Sequence, residues 1–257
     1  MTDDLLDHPL ISQRYFFPRP SALTDPFWVD AGDVRLACHF HQVDPAALTL
    51  VHFHGNGEIV DDYLGDFVEL IGRMGCNSFL VGYRGYGRSQ GRPQLGRMLA
   101  DVESVVRAAG EPRRLIFFGR SVGSIFAIEA AARFPEAAGL VLESGIADVL
   151  ERLLLRVDPE ELGTSPEALS GAVAERLDHR RKLARFPGPV LVMHARHDGL
   201  VDVSHGERLY RWAAGKKQLQ VFPEGDHNSI MSVNAWEYFD LLARFIGSLQ
   251  EQEGMRA

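Results

Sequence analysis

The sequence predicts an α/β fold built on a mostly parallel sheet of eight strands flanked by helices. Two observations support this fold class: apolar, strand-like runs alternate with helical patterns along most of the chain, and polar, glycine-rich loops follow several of those runs. Such alternation builds a parallel sheet, because each helix carries the chain back to the start of the next strand. At 257 residues, the chain can bury one large core, so we expect a single domain over residues 1–257.

The elements are expected in a regular order. An opening hairpin is predicted from strands over 27–30 and 34–41, joined through Ala31-Gly32-Asp33. Six further strands are expected over 48–53, 78–83, 115–118, 139–143, 190–193 and 218–222, and helices over 59–74, 98–109, 125–133 and 236–249. The last helix carries Phe239, Leu242, Phe245 and Ile246 at helical spacing, which indicates a stripe that faces the core.

A serine lies between two glycines in the segment Gly119-Arg120-Ser121-Val122-Gly123, which follows an apolar run and leads into a helix-favouring one. This is the strand, sharp turn and helix of a G-x-S-x-G nucleophile elbow. The turn holds the serine in strained backbone geometry, so the residues two before and two after it must be small where strand and helix crowd together. Ser121 is therefore the candidate nucleophile.

A nucleophilic serine needs a base and an orienting acid, which in this architecture follow in the chain order Ser, Asp or Glu, His. Asp198 follows the strand expected over 190–193, and His227 follows the strand expected over 218–222. Loops at the carboxyl ends of parallel strands converge on one crevice. We therefore expect Ser121, Asp198 and His227 to meet there as catalytic residues.

Three other carboxylates lie near predicted strand ends. Asp202 precedes a helix-like run and is better explained as a helix-start residue whose carboxylate meets free backbone amides. Asp226 is next to His227 in the sequence and is poorly placed to reach the far ring nitrogen. Glu143 ends the strand expected over 139–143 and stays open as the alternative acid.

The segment His54-Gly55-Asn56-Gly57-Glu58 follows an earlier buried strand and supplies a candidate oxyanion hole. In the elbow architecture one donor is the backbone N–H after the nucleophile, here Val122, and the other is an N–H from this earlier loop. Asn56 is the expected second donor. Gly55 and Gly57 on either side let the chain turn its amides toward the substrate, so both are predicted to lie against it.

These motifs together resemble the serine hydrolases of the α/β-hydrolase superfamily, over nearly everything from Asp33 to Ile246. The His54-Gly55-Asn56 loop, the segment 83–89 and the loop 194–198 resemble one branch, which contains bacterial hydrolases and eukaryotic depalmitoylase-like enzymes. Ala195 stands where a glycine is usual in that branch. The resemblance implies an α/β-hydrolase fold with a short helical lid.

The pattern changes over residues 144–187, where the superfamily inserts its lid. Two amphipathic helical stretches are expected there, over 146–157 and 166–183, the second starting at Ser165-Pro166-Glu167. Its first stretch carries an apolar stripe that includes Leu150, Leu153 and Leu154. Such a stripe can pack against the core, but an insertion above the strand ends must cover the crevice. These three leucines are therefore predicted to bind an acyl chain.

Composition excludes several other classes of protein. The net charge is −8, and no basic cluster extends beyond Arg180-Arg181-Lys182, so nucleic acid is not an expected partner. The stretch 1–20 lacks the basic start and continuous apolar run of a signal peptide, and no window has the length of a membrane span. We expect a cytoplasmic protein. Cys38 and Cys76 lie in apolar, strand-like surroundings and are expected to be buried free thiols.

Cofactor and metal sites are not predicted. The H-x-H pairs His39/His41 and His52/His54 are not followed by the aspartate-histidine pair of a dinuclear hydrolase. The glycine-rich segment 82–91 fails the G-x-G-x-x-G spacing of a nucleotide site. The expected partner is a small acyl substrate, and the sequence leaves the oligomeric state open.

The predicted activity is hydrolysis of a carboxylic ester or thioester through an acyl-enzyme. A serine peptidase of the same fold is the alternative among enzymes, and a non-catalytic protein that uses the pocket to bind a ligand is the alternative from another class. Uncharged acyl groups of short to medium length are the expected substrates. A basic patch of Arg84, Arg88 and Arg92 near the entrance would instead favour polyanionic substrates.

Overall fold

A computed structural model describes residues 4–255 and confirms the predicted fold class. Within that range the strands are β1 Phe27–Asp30, β2 Arg35–His41, β3 Thr49–Phe53, β4 Asn77–Leu80, β5 Leu115–Arg120, β6 Gly139–Glu143, β7 Val190–Ala195 and β8 Lys217–Phe222. They form one sheet in the order β1-β2-β4-β3-β5-β6-β7-β8. The pairs β1–β2 and β2–β4 are antiparallel, and all other neighbours are parallel.

Helices cover both faces of the sheet. The α-helices are α1 Pro9–Tyr15, α2 Asp66–Arg73, α3 Leu95–Ala109, α4 Gly123–Arg133, α5 Val149–Leu154, α6 Pro166–Leu177, α7 His179–Leu183, α8 Val203–Trp212, α9 Ile230–Val233 and α10 Ala235–Gly254. Helices α3, α4, α7 and α8 bury their apolar sides in one core cluster, and α2 and α10 in a second. The order fixes where the strand-end loops meet, because β5 lies between β3 and β6 near the centre of the sheet.

The helix expected over 59–74 is broken into two parts. A 3-10 turn covers Val60–Tyr63 and α2 follows it. Gly65 separates them with a positive φ of 89°, a conformation that glycine adopts without steric cost and that ends a right-handed helix. The segment is helical, but the prediction of one continuous helix was wrong.

The segment 144–187 forms three short α-helices rather than two longer ones. Asp148 caps the start of α5, where its side chain accepts from the Glu151 N–H at 3.0 Å. Asp178 ends α6 and caps α7 by accepting from the Arg181 N–H at 2.8 Å. Aspartate competes for backbone N–H groups at helix starts, which explains why the predicted helix over 166–183 is divided there. Ser165 caps α6, as predicted.

The N-terminal segment carries structure that the sequence patterns did not predict. Helix α1 packs Ile11 into the core, and Leu6 before it is also fully buried. Arg14 at the end of α1 pairs with Glu161 of the segment 144–187 at 2.5 Å. An ion pair thus connects α1 to the predicted lid. Residues 1–3 and 256–257 of the predicted single domain lie outside the described residues.

Both cysteines are buried free thiols, as expected. Burial raises the pKa of Cys38 and of Cys76 to about 12, so both thiols are protonated and unreactive at neutral pH. Among the helices of residues 4–255, none has the length and apolar character required to cross a bilayer.

Candidate active site

Ser121 lies on the tight turn between β5 and α4, and its backbone is left-handed, with a φ of 52°. The flanking glycines have no room for a side chain. A Cβ at Gly119 would lie 2.6 Å from Ser124 Cα, and one at Gly123 would lie 2.0 Å from Phe53 O. The crowding predicted for a nucleophile elbow is therefore present at both positions, and it holds the serine in strained geometry.

The side chains predicted as nucleophile, base and acid are joined by two hydrogen bonds. Nε2 of His227 lies 2.9 Å from Ser121 Oγ, and Nδ1 of the same ring lies 2.7 Å from Asp198 Oδ2. Asp198 comes from the loop after β7 and His227 from the loop after β8. All three residues are buried, with 4% to 7% of their surface exposed. This arrangement can pass the hydroxyl proton to the imidazole while the carboxylate holds the Nδ1–H tautomer.

The carboxylate of Asp198 is held on several sides. Its Oδ1 accepts from the N–H groups of Leu200 at 2.9 Å and Val201 at 2.7 Å, and His194 Nε2 lies 3.4 Å from Oδ2. Burial raises the pKa of Asp198, but hydrogen bonds from His194 and His227 outweigh burial and hold the pKa well below its usual range. The carboxyl is therefore ionised at neutral pH. No sequence pattern predicted the contact of His194 with Asp198.

The other candidate acids make different contacts. Glu143 accepts from Tyr238 Oη at 2.5 Å and lies 3.5 Å from Arg120 Nε. Asp202 caps α8, as predicted. Asp226 accepts from backbone N–H groups of the turn that follows it. Each carboxylate is thus engaged elsewhere, and in the described chain none of these three side chains hydrogen-bonds the imidazole of the candidate base.

The two predicted oxyanion donors lie together in the wall of the cavity beside the nucleophile, namely Asn56 and Val122. Within residues 4–255 neither backbone N–H donates to another protein group, so both can donate to an incoming oxygen. The Asn56 side chain is fixed from three directions. Its amide nitrogen donates to Tyr15 O, and its Oδ1 accepts from the Phe17 N–H at 3.0 Å and from Tyr86 Oη at 2.8 Å.

Gly55 and Gly57 allow the loop 54–58 to make its tight turn. Gly57 has a positive φ of 75°. A Cβ at Gly55 would lie 2.5 Å from Arg120 Nη1, and the Gly55 N–H donates to Glu58 Oε2 at 2.5 Å. The structure does not place either glycine in the cavity wall, contrary to the prediction that both lie against substrate. They permit the turn that presents the Asn56 amide.

Arg120 connects the loops that carry the site, and sequence reasoning missed it. Its guanidinium is 2.6 Å from Glu58 and 3.5 Å from Glu143, and it donates to His227 O at 2.7 Å. Burial lowers the pKa of Arg120, but the two carboxylates outweigh burial and raise it. One buried cation thus connects the predicted oxyanion loop, the elbow and the loop that carries His227. The only signal in the sequence is its position directly before Ser121.

A cavity of about 280 Å³ opens beside the nucleophile. It is lined by Tyr15, Phe17, Asn56, Arg120, Ser121, Val122, Ile146, Arg152, Arg156, Leu200, Val201, His227 and Asn228. The aromatic side chains in this wall come from the N-terminal segment, which no sequence pattern assigned to the site. The aromatic run at 15–17 in an otherwise polar segment was the available signal.

The leucines predicted to bind an acyl chain are not in this wall. Leu153 is fully buried in the core, Leu150 is half-buried against the same core, and Leu154 is 48% exposed. Because Leu153 of α5 faces the core, the adjacent Arg152 and the residue four positions later, Arg156, reach the cavity instead. Arg152 belongs to α5, and Arg156 follows its end by two residues. The predicted apolar stripe exists, but Leu150 and Leu153 face the core and not the cavity.

The basic patch predicted from Arg84, Arg88 and Arg92 does not form at this cavity. Arg84 is buried and pairs with Asp101 at 2.7 Å and with Asp33 at 3.0 Å. Arg88 donates to a backbone carbonyl of the segment before β1 at 2.8 Å. None of the three arginines belongs to the cavity wall. Positive charge reaches the cavity from α5 and the residues after it.

The histidine pair His52 and His54 lies in the core. Their rings pack 4.1 Å from those of Tyr63 and Tyr83, centroid to centroid, and burial lowers the pKa of both histidines. Across the described part of the chain, no group of three or more His, Cys, Asp or Glu side chains is placed to hold a metal ion.

The sequence of this chain is similar to that of known hydrolases. The family described as "Serine aminopeptidase, S33" matches residues 44–159, which include the predicted oxyanion loop and the turn that carries Ser121. Human alpha/beta hydrolase domain-containing protein 17B is 26% identical over 218 residues, covering 82% of this chain and 71% of that protein. Mouse protein 17C is 28% identical over 223 residues, covering 84% and 65%.

Solved structures share the fold. An esterase of Pyrococcus furiosus superposes with a TM-score of 0.69 at 15% identity, covering 91% of this chain and 98% of its own. A hydrolase from Pseudomonas aeruginosa superposes with a TM-score of 0.66 at 23% identity, covering 87% and 98%. The chain has the α/β-hydrolase fold, and the family and the relatives that it matches are hydrolases of that kind by name. In this fold, the turn between a central strand and the following helix is where the nucleophile is found.

Proposed function

We propose that this α/β hydrolase is a serine hydrolase that cleaves carboxylic esters or thioesters through an acyl-enzyme. The observation that carries the proposal is the line of hydrogen bonds from Ser121 through His227 to Asp198, at 2.9 Å and 2.7 Å. It opens onto a cavity whose wall also contains Asn56 and Val122, the residues expected to donate their backbone amides to the oxyanion. Nucleophile, base, acid and oxyanion donors are thus supplied by one strand-end crevice.

In the first half of the reaction, Ser121 Oγ attacks the acyl carbon while His227 Nε2 takes the hydroxyl proton. The carbonyl electrons move to oxygen, where the amides of Asn56 and Val122 donate to the oxyanion. Asp198 stabilises the imidazolium. Collapse of the tetrahedral intermediate releases an alcohol or thiol, which receives the proton from the imidazolium. Water then attacks the acyl-enzyme with the same base, so the cycle consumes only substrate and water.

A serine peptidase is the second candidate, and the match to a family described as serine aminopeptidase favours it. An aminopeptidase must hold the positively charged amino terminus of its substrate. The cavity wall contains Arg152 and Arg156 and no acidic residue, so it repels an ammonium group. Esters and thioesters also have leaving groups that need less protonation than an amine. Both arguments favour ester or thioester chemistry.

A ligand-binding protein without turnover is the third candidate. The φ of Ser121 is 52°, a conformation that costs about 1–3 kcal/mol in a residue other than glycine. Ligand binding alone does not require this backbone strain. Such strain is typical of sites where it takes part in the chemistry. The geometry at Ser121 therefore supports an enzyme.

In this function, residues 1–257 act as one catalytic domain and residues 144–187 as its lid. Two arginines of that segment reach the cavity, which supports a role in holding substrate. A cavity of about 280 Å³ lies at the small end of ligand sites, which favours a small acyl compound.

A substrate panel tests the reaction class. We expect purified enzyme to cleave p-nitrophenyl esters of graded length or an acyl-CoA series far faster than aminoacyl amides. Ser121→Ala serves as the blank for spontaneous hydrolysis. A clear preference for the amides would refute ester chemistry and establish the peptidase alternative.

A further inference from the structure

We infer that Arg152 and Arg156 form an anion subsite, and that the substrate is an ester or thioester carrying a carboxylate or phosphate group. The inference rests on the proposed function, since it names a substrate class for the same nucleophile. Both side chains line the cavity that also contains Ser121. Arg152 lies in α5 and Arg156 lies two residues after its end, so one short stretch of chain brings both guanidinium groups to this cavity.

Neither guanidinium has a carboxylate partner in the described chain. Acidic residues of the same segment are engaged elsewhere: Glu151 pairs with Arg208 at 3.2 Å, Glu161 pairs with Arg14 at 2.5 Å, and Asp158 accepts from the Glu160 N–H at 2.9 Å. The cavity wall itself contains no Asp or Glu. Two cations therefore share one concave space without a protein counter-ion, and an anionic substrate group supplies it.

The third arginine of the wall does not share this role. Arg120 is balanced by Glu58 at 2.6 Å and by Glu143 at 3.5 Å. The chain as a whole has a net charge of −8, so an acid-free cavity with two unpaired arginines reverses the sign of charge locally. Such a reversal concentrates anions at the site. Guanidinium groups match the geometry of carboxylates and phosphates in particular.

The remaining wall suits an acyl chain between the nucleophile and the subsite. Ile146, Leu200 and Val201 supply apolar surface, and Phe17 supplies an aromatic face. Arg156 Cζ lies 5.9 Å from the centroid of the Phe17 ring, within the range of a cation–π contact. The apolar wall binds the uncharged part of the substrate, and the two arginines bind its charged end.

Two matched substrate pairs test the subsite and distinguish its two possible positions. Mono-p-nitrophenyl adipate against p-nitrophenyl hexanoate places a carboxylate on the acyl side at equal chain length. Butyryl-CoA against S-butyryl-N-acetylcysteamine places phosphates on the leaving-group side with the same scissile thioester. The measured quantity is the ratio of kcat/KM, charged over neutral, for each pair in wild type, R152Q/R156Q and R152E/R156E.

We expect the ratio to exceed one for at least one pair in wild type, to fall about ten-fold in R152Q/R156Q, and to fall further in R152E/R156E. It should also fall as ionic strength rises. Arg180→Gln, which removes an exposed charge from α7 outside the cavity wall, should leave both ratios unchanged. Circular dichroism verifies that each variant is folded.

A ratio of one or less for both pairs in wild type, or a ratio that survives R152Q/R156Q, would overturn the subsite and leave ester hydrolysis in place. Failure of the proposed function has a different signature, because neither the charged nor the neutral member of either pair would then be cleaved. Protection supplies a readout independent of turnover. Adipate or CoA should slow fluorophosphonate capture of Ser121 in wild type but not in R152Q/R156Q.

Discussion

Ser121 and His227 share one hydrogen bond of 2.9 Å, so removing either side chain interrupts the same proton transfer. We expect Ser121→Ala and His227→Ala each to lower kcat by about 10⁴- to 10⁶-fold, and the double variant to be little worse than either single one. Initial rates with a p-nitrophenyl ester measure the loss. Near-wild-type turnover by a folded Ser121→Ala protein would exclude the serine mechanism.

The identity of the acid is a separate prediction. Asp198 contacts the imidazole at 2.7 Å, whereas Glu143 contacts Tyr238 and Arg120. Asp198→Asn should therefore lower kcat by about 10⁴-fold through loss of the correct tautomer, and Glu143→Gln should be far milder per folded molecule. Steady-state kinetics normalised to active-site titration measures both. The reverse ranking would move the acid to Glu143.

The position of these side chains was predictable because it depends on chain order and on strand ends. A parallel sheet brings its strand-end loops to one edge whatever the detailed packing, so Ser121, Asp198 and His227 could be expected near one another. Their catalytic roles remain predictions. The contact of His194 with Asp198 was not predictable, because it depends on how the loop after β7 folds back on its own strand.

At the scale of elements, Arg120 is the link between three loops, and its removal leaves the buried Glu143 and the partly buried Glu58 without a cationic partner. We expect Arg120→Met to destabilise the protein by about 3–5 kcal/mol, because breaking a buried ion pair on one side leaves an uncompensated charge. Adding Glu58→Gln and Glu143→Gln to that variant should recover part of the loss. Urea denaturation measures both effects. A triple variant no more stable than Arg120→Met would contradict this reason for the loss.

The orientation of elements was harder to predict than their existence. The apolar stripe of α5 was visible in the sequence, but such a stripe can pack either against the core or against the cavity. In the structure Leu153 packs in the core, and Arg152 and Arg156 line the cavity. Periodicity identifies a buried face without naming what buries it. The contribution of α1 was missed for a related reason, since a seven-residue helix is stable only through its tertiary contacts.

At the scale of the whole molecule, buried neutral histidines make stability depend on pH. Burial lowers the pKa of His52, His54, His179 and His205, and that of His179 falls from 6.5 to about 4. Below pH 6.5 these histidines bind protons in the unfolded chain but stay neutral in the folded protein. The free energy of unfolding therefore decreases as pH falls from about 6.5 toward 4. His179 alone can account for at most about 3 kcal/mol of that loss.

Urea denaturation between pH 5 and 7.5 measures this dependence. We expect His179→Gln to make the decline in unfolding free energy between about pH 6.5 and 5 shallower than in wild type, whatever its overall stability. His197→Gln, at an exposed position, is the matched control and should leave the slope unchanged. Equal slopes in His179→Gln and wild type would show that His179 does not carry this effect.

Covalent capture by a fluorophosphonate tests the central claim, that Ser121 is an activated nucleophile, most directly. Tandem mass spectrometry of the tryptic peptide 121–133 should locate one adduct on Ser121. The adduct should be absent in Ser121→Ala and form at least about 100-fold more slowly in His227→Ala. Ser144 also has a positive φ, so Ser144→Ala controls for backbone conformation and should label normally. A folded wild-type protein that forms no adduct, or forms it at another serine, would contradict the assignment of Ser121.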